Sequence, residues 1–177
     1  SQEKLASLVG VGVLKKGGNA IDAAVAMGYA LAVTLPRAGN LGGGGFMMIY
    51  LAKENRVVAI DYREKAPLAA YETLFLDKEG NVDNQKSRFS IHSVGVPGTV
   101  AGLSLALDKY GTVPLRDLIK PARKLAEDGF LVSKSLEDSL RYAQKGMAKW
   151  PASLATYYKQ GEPYTAWSRF KQPDLAW

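Results

Sequence analysis

The chain has 177 residues, is 47% hydrophobic and 23% charged, and carries a formal net charge of +6, values that suit a globular domain with a real core. It has no cysteine and one histidine, His92, which excludes disulfides, thiol nucleophiles and a His-rich metal site within it; no metal and no cofactor is expected. The basic residues are scattered, with no dense Lys/Arg block and no aromatic-basic alternation, so no nucleic-acid partner is expected.

Ser1 to Leu5 has no basic stretch leading into an apolar one, so no signal peptide is read there. The piece reads as mature, processed or truncated, or as a cytosolic protein. Leu5, Leu8, Val9, Val13 and Leu14 follow helical spacing, with Lys15-Lys16 in the last turn and Gly17-Gly18 as a stop. Asn19 caps a second helix from Ala20 to about Thr34, apolar nearly all round and therefore buried; Pro36 ends it. Its apolar stretch, Ala20 to Leu35, is too short to span a bilayer and carries Asp22, so no membrane span is expected. After a glycine run, Phe46 to Leu51 reads as a buried strand, Lys53 to Arg56 as a turn and Val57 to Asp61 as the returning strand of an antiparallel hairpin. Phe75 to Phe89 reads as an exposed loop. Helices are expected over Pro97–Tyr110, over Pro114–Asp128 with a kink or break at Pro121, and over Ser133–Lys145, capped by Ser133 or Ser135. Pro151 to Trp177 is aromatic-rich and irregular. No repeat or domain boundary stands out.

Glycines at 42 to 45 allow positive φ and close approach of a ligand or another chain. They fit neither nucleotide pattern. Gly39 and Gly44 have the Walker separation, but Phe46 follows Gly45 where a lysine is needed. The order helix, glycines, strand is the reverse of a dinucleotide fold. Gly10-x-Gly12 is a decoy with Lys15 in place of the third glycine. A tight helix-to-strand connection is the simpler reading. Arg63, at a strand end, offers a fork for an anionic substrate; on residue type alone a local ion pair with Asp61 or Glu64 is the stronger reading. His92 lies among Ser90 and Ser93, but there is no Gly-x-Ser-x-Gly elbow and no assembled triad. Ser93 to Thr99 is a sharp entry into a helix, open to anion binding or to a purely structural turn.

Several stretches, in order, resemble the large subunit of the γ-glutamyltranspeptidases: Gly17 to Ala26, Ala38 to Phe46, Ile60 to Pro67, Gly95 to Gly102, Tyr110-Gly111, Pro121-Ala122, Leu125-Ala126 and Gln172 to Ala176. The resemblance implies an α+β, helix-rich part of an Ntn-hydrolase αββα sandwich, with residues 1–177 a single incomplete domain of that subunit. It implies a precursor that cleaves itself. The small subunit is then the partner, and its N-terminal threonine is the nucleophile, with that residue's own α-amine as base. No catalytic residue is thus expected within residues 1–177, and the piece alone is expected to be inactive. The implied reaction takes a γ-glutamyl group from glutathione or a similar donor to water, an amino acid or a peptide, in a periplasmic or secreted location. The segment Asp61-Tyr62-Arg63-Glu64 matches the family's carboxylate-binding segment, which makes Arg63 the expected ligand of the donor's α-carboxylate. Glu64 would help orient it, and the glycine run would pack nearby without binding phosphate. Alternatives are a related β-lactam acylase or poly-γ-glutamate depolymerase and, from another class, a non-catalytic interaction module.

Overall fold

The computed structural model describes residues 1–177. They cluster into two compact units, residues 1–40 with 106–177 and residues 41–105.

The larger unit is mainly helical. Helix α1 (Lys4–Lys15) and helix α2 (Ala20–Thr34) form where expected. At the start of α2, Asn19 Oδ1 accepts from the Ile21 and Asp22 N–H groups while Asp22 Oδ2 accepts from the Asn19 N–H at 2.8 Å, a reciprocal capping box. Helix α2 is buried along most of its length, from Ala23 to Val33, and packs against α1 and helix α5 (Leu115–Asp128). Its alanines allow that close approach. Helix α5 runs unbroken through Pro121, so the expected break is absent; it buries Leu118, Ala122 and Ala126 at four-residue spacing.

Asp22 is the polar centre of this unit, and it is fully buried. Beyond the capping bond, Oδ1 accepts from the backbone N–H groups of Thr112 (2.8 Å) and Val113 (3.1 Å), and Oδ2 accepts from the Thr112 hydroxyl (2.6 Å). Asn19 Nδ2 donates to the Tyr110 carbonyl at 2.7 Å. The start of α2 is thereby tied to the turn that follows helix α4 (Thr99–Tyr110). Burial disfavours the Asp22 charge, but the Thr112 hydroxyl and the three backbone donors outweigh it and hold the carboxyl below its ordinary range.

In the C-terminal part the helix expected over Ser133–Lys145 forms, while Pro151 to Trp177 departs from its expected irregularity. Helix α6 (Lys134–Met147) is capped by Ser133, whose Oγ accepts from the Leu136 N–H. Buried Glu137 on α6 accepts from the Ala166 N–H and pairs with Arg141 (2.9 Å) and Lys134 (3.2 Å), bonds that lower its pKa to about 2. Helix α7 (Pro151–Tyr157) leads into a hairpin of two short strands, Tyr158–Lys159 and Glu162–Pro163, whose turn places Gln160 and Gly161 at positive φ. Phe130–Leu131 pairs with Arg169–Phe170, and helix α8 (Pro173–Ala176) closes the chain. Fully buried Phe170 gathers Phe130, Tyr157 and Tyr164 at ring separations of 4.8–5.9 Å, which is why this aromatic-rich stretch folds. Gln172 Nε2 donates to the Val33 carbonyl at 2.8 Å.

The smaller unit centres on an antiparallel hairpin, β1 (Phe46–Leu51) and β2 (Arg56–Asp61), in register Phe46 opposite Asp61 and Leu51 opposite Arg56. The expectation of a fully buried strand fails. Ile49 and Ile60 are buried, while Phe46, Met48, Tyr50 and Val57 are exposed. The alternation is that of a sheet packed on one face. The expected loop at 75–89 ends in helix α3 (Asn84–Phe89), capped by Asp83 accepting from the Gln85 and Lys86 N–H groups. The helix is short and buries nothing, so hydrophobic periodicity could not announce it. No helix in the structure is long and apolar enough to cross a membrane.

Because the folded Asp22 has a depressed pKa, its contribution is fully present above the unfolded carboxyl range near pH ~4 and is lost as pH falls through the folded value. Asp22→Ala should cost about 2–4 kcal/mol by leaving buried donors unpaired and should flatten the acid limb of the stability curve. Urea denaturation between pH 3 and 7 checks both.

Candidate carboxylate-binding site

The hairpin ladder continues one pair beyond the strands. Tyr62 N–H donates to the Gly45 carbonyl (3.0 Å) and Gly45 N–H to the Tyr62 carbonyl (3.3 Å). Lys65 and Val96 then exchange both backbone bonds, at 3.2 and 2.8 Å. The segment Tyr62–Lys65 is therefore held on one side by the glycine run and on the other by the approach to α4.

Side chains would not fit at these contacts. A Cβ on Gly44 would lie 2.5 Å from the Tyr62 carbonyl oxygen and 2.8 Å from Arg63 Cα. A Cβ on Gly98 would collide with the Tyr62 carbonyl, and one on Gly102 with the base of the Tyr62 ring. Gly43 closes the arrangement, since its carbonyl accepts from both Gly98 N–H (2.9 Å) and Thr99 N–H (3.0 Å). The expected capacity for positive φ is not what the run supplies, because none of Gly42 to Gly45 has positive φ. What is used is the missing side chain, and what comes close is the chain's own backbone. The Gly43 carbonyl takes the Gly98 and Thr99 N–H groups at the start of α4, which ties the Ser93–Thr99 entry to the glycine run.

Arg63 projects from this segment and is exposed. The local ion pair weighed from sequence does not form: no carboxylate lies within 4.0 Å of its guanidinium. Asp61 Oδ1 instead accepts the Arg63 backbone N–H at 3.0 Å, which shapes the turn and leaves the charge unmatched. The guanidinium carbon stands 5.9 Å from the Phe46 ring centroid, at the outer range of a cation–π contact. A surface cavity of about 250 Å³ is lined by Asp61, Tyr62, Arg63 and Lys65 together with Val96, Pro97, Gly98, Ala101, Gly102 and Leu105. Burial raises the Tyr62 phenol pKa above its ordinary value, so the ring stays neutral beside the cation. The cavity lining has two cationic side chains but no serine, threonine, cysteine or histidine. Such an arrangement can bind and orient an anion; its one hydroxyl is the Tyr62 phenol, which burial keeps neutral, and it offers no aliphatic hydroxyl, thiol or imidazole as a nucleophile or base.

His92 is exposed on a single 3₁₀ turn, Ile91–Ser93. The neighbouring hydroxyls serve the backbone: Ser90 Oγ donates to the Lys86 carbonyl and Ser93 Oγ to the Ser90 carbonyl, both at 2.6 Å. No triad is assembled. No cluster of three or more potential metal-ligating side chains occurs. Sequence reasoning singled out Arg63 and the glycine run but missed the seat around Tyr62. Its signal was available: Gly98 and Gly102 are four residues apart, hence on one face at the start of a helix.

The family model described as gamma-glutamyltranspeptidase matches residues 6–177, and the chain belongs to that family. It is 52% identical over 177 residues to the glutathione hydrolase proenzyme of Escherichia coli K12, covering 99% of this chain and 30% of that protein. The structure of the Helicobacter pylori gamma-glutamyltranspeptidase superposes with a TM-score of 0.96 at 49% identity, covering 99% of this chain and 50% of that one. The Bacillus anthracis transpeptidase enzyme CapD superposes at 0.81 with 34% identity, covering 99% and 54%. The α+β, helix-rich fold with a β-hairpin expected from sequence is thus the fold observed in the Ntn-hydrolase family members. The chain spans about 30% of the length of the curated relative it matches.

Since His92 faces solvent without a catalytic partner, His92→Ala should leave kcat and KM of the whole protein unchanged. Steady-state kinetics on a γ-glutamyl anilide checks this, and a large fall in kcat would contradict the geometry.

Proposed function

We propose that the protein carrying this chain cleaves the γ-glutamyl bond of glutathione and related donors and passes the γ-glutamyl group to water, an amino acid or a peptide. The observation that carries the reading is the unpaired guanidinium of Arg63, held at the end of β2 beside an open cavity in a chain of this family. Arg63 binds the α-carboxylate of the γ-glutamyl group. Its planar fork matches a carboxylate with two parallel hydrogen bonds, which fix orientation as well as charge. That orientation presents the donor's γ-carbonyl to the nucleophile, where proximity is worth several kcal/mol.

The nucleophile is a threonine at the N-terminus of a small subunit released from the same precursor, with its own α-amine taking the hydroxyl proton. The name of the E. coli relative, a proenzyme, supports the processing step. Residues 1–177 belong to the large subunit and, in this reading, to one domain of it. They supply binding rather than bond-breaking groups, so the piece alone is inactive. A periplasmic or secreted location belongs to the same reading. The likeness to CapD, named a transpeptidase, supports transfer as well as hydrolysis; a donor panel including glutathione, poly-γ-glutamate and a glutaryl β-lactam separates this reading from the alternative donors. A non-catalytic module would turn over none of them.

In the whole processed protein, Arg63→Ala should lower kcat/KM for γ-glutamyl anilides about 100-fold, the loss of two charge-assisted hydrogen bonds. Most of that loss should appear in KM, and Arg63→Lys should fall between the two. An unchanged KM would overturn the assignment of Arg63.

A further inference from the structure

Arg63 is exposed and makes no ion pair; at its charged end it meets only the Phe46 ring, at the outer range of a cation–π contact, which holds it weakly. Its aim must come from the backbone that carries it. That backbone is fixed one residue earlier. The Tyr62 carbonyl meets Gly44 and Gly98 at distances that exclude a side chain, and the Tyr62 ring lies against Gly102 at its base and Gly45 at its edge, where a Cβ would sit 3.0 Å from the ring. The phenol oxygen contributes little, reaching the Phe46 carbonyl only at 3.5 Å. Arg63 follows Tyr62 directly in the chain, and its backbone N–H is fixed by Asp61 Oδ1 at 3.0 Å. A ring locked into its seat therefore determines the direction of the next side chain.

From this geometry we infer that Tyr62 is a positioning residue for substrate binding: its ring, seated on Gly102 and Gly45, sets the aim of Arg63 at the donor's carboxylate. The inference rests on the reading of Arg63 as the carboxylate ligand. The seat is steric. Tyr62→Phe keeps it, Tyr62→Ala empties it, and Gly102→Ala pushes the ring out of it. A shift of about 1 Å at a positioning group is enough to weaken a two-point contact severely.

The test uses the whole processed protein, with steady-state kinetics on a γ-glutamyl anilide and inhibition constants for L-glutamate and for 4-aminobutyrate, which lacks the α-carboxylate. Tyr62→Ala and Gly102→Ala should each raise KM about tenfold or more with little change in kcat. They should weaken L-glutamate while leaving 4-aminobutyrate unchanged, and Tyr62→Phe should behave as wild type. A merely structural role would reduce the yield of processed protein or lower kcat without separating the two inhibitors, and that result overturns the inference. If Tyr62→Ala does not fold, Gly102→Ala decides alone, with Tyr62→Leu as a milder loss of the ring. Arg63→Ala keeps the two claims distinct. If it separates the inhibitors and the Tyr62 and Gly102 variants do not, only the positioning role fails. If Arg63→Ala does not separate them, the carboxylate reading itself fails.

Discussion

The contact of the Tyr62–Glu64 backbone with Gly44 and Gly98 is the constraint on which the candidate site depends. Each of these approaches is closer than any Cβ allows. Through them a loop end, ordinarily among the more mobile parts of a fold, becomes a continuation of the hairpin ladder at Gly45–Tyr62 and a further bridge at Lys65–Val96. The glycine run does not cradle a ligand. It removes side chains so that the segment bearing Arg63 can be gripped by its backbone, and the guanidinium then faces solvent without a carboxylate partner. An unmatched cation on a rigid mount suits recognition of an anion, because little ordering is required when the ligand arrives.

The larger unit solves a different problem with a buried charge. Asp22 accepts four hydrogen bonds, from Asn19, Thr112 (twice) and Val113, and these offset the desolvation that burial imposes. The same carboxylate closes the capping box of α2 and organises the turn after Tyr110, joining positions about ninety residues apart in the chain. Elsewhere the unit is held by apolar packing: α2 against α1 and α5, and the aromatic group around Phe170, whose full burial is worth about 2–3 kcal/mol. Its polar and apolar ties are structural.

Long periodic elements were legible in the sequence. Helices α1, α2 and α5 and the β1–β2 hairpin lie where spacing, caps and breakers put them, because each signal is local. Asp22 was visible only as a charge in an apolar stretch. The pattern Asn19-x-x-Asp22 announces a capping box, but Thr112 and Val113 are distant in the chain and no local pattern names them. The strands after Tyr157 were too short to show alternation, and Phe170 organises them through contacts that a linear reading cannot see. Arg63 was ambiguous on residue type and became a site residue through resemblance; the structure adds that its ion-pair alternative is unformed. The glycines were read as permitting positive φ or close approach, and the structure uses the second, with the chain's own backbone as the neighbour; the two leave the same mark in a sequence and only coordinates separate them.

The central claim is that a rigidly mounted Arg63 receives the carboxylate of a γ-glutamyl group. A crystal structure of the whole processed protein with L-glutamate bound addresses it most directly. The account predicts both guanidinium nitrogens of Arg63 within about 3 Å of the α-carboxylate oxygens, with the Tyr62 ring still against Gly102. A glutamate whose α-carboxylate is held by other residues, with Arg63 paired to a protein carboxylate, would contradict it.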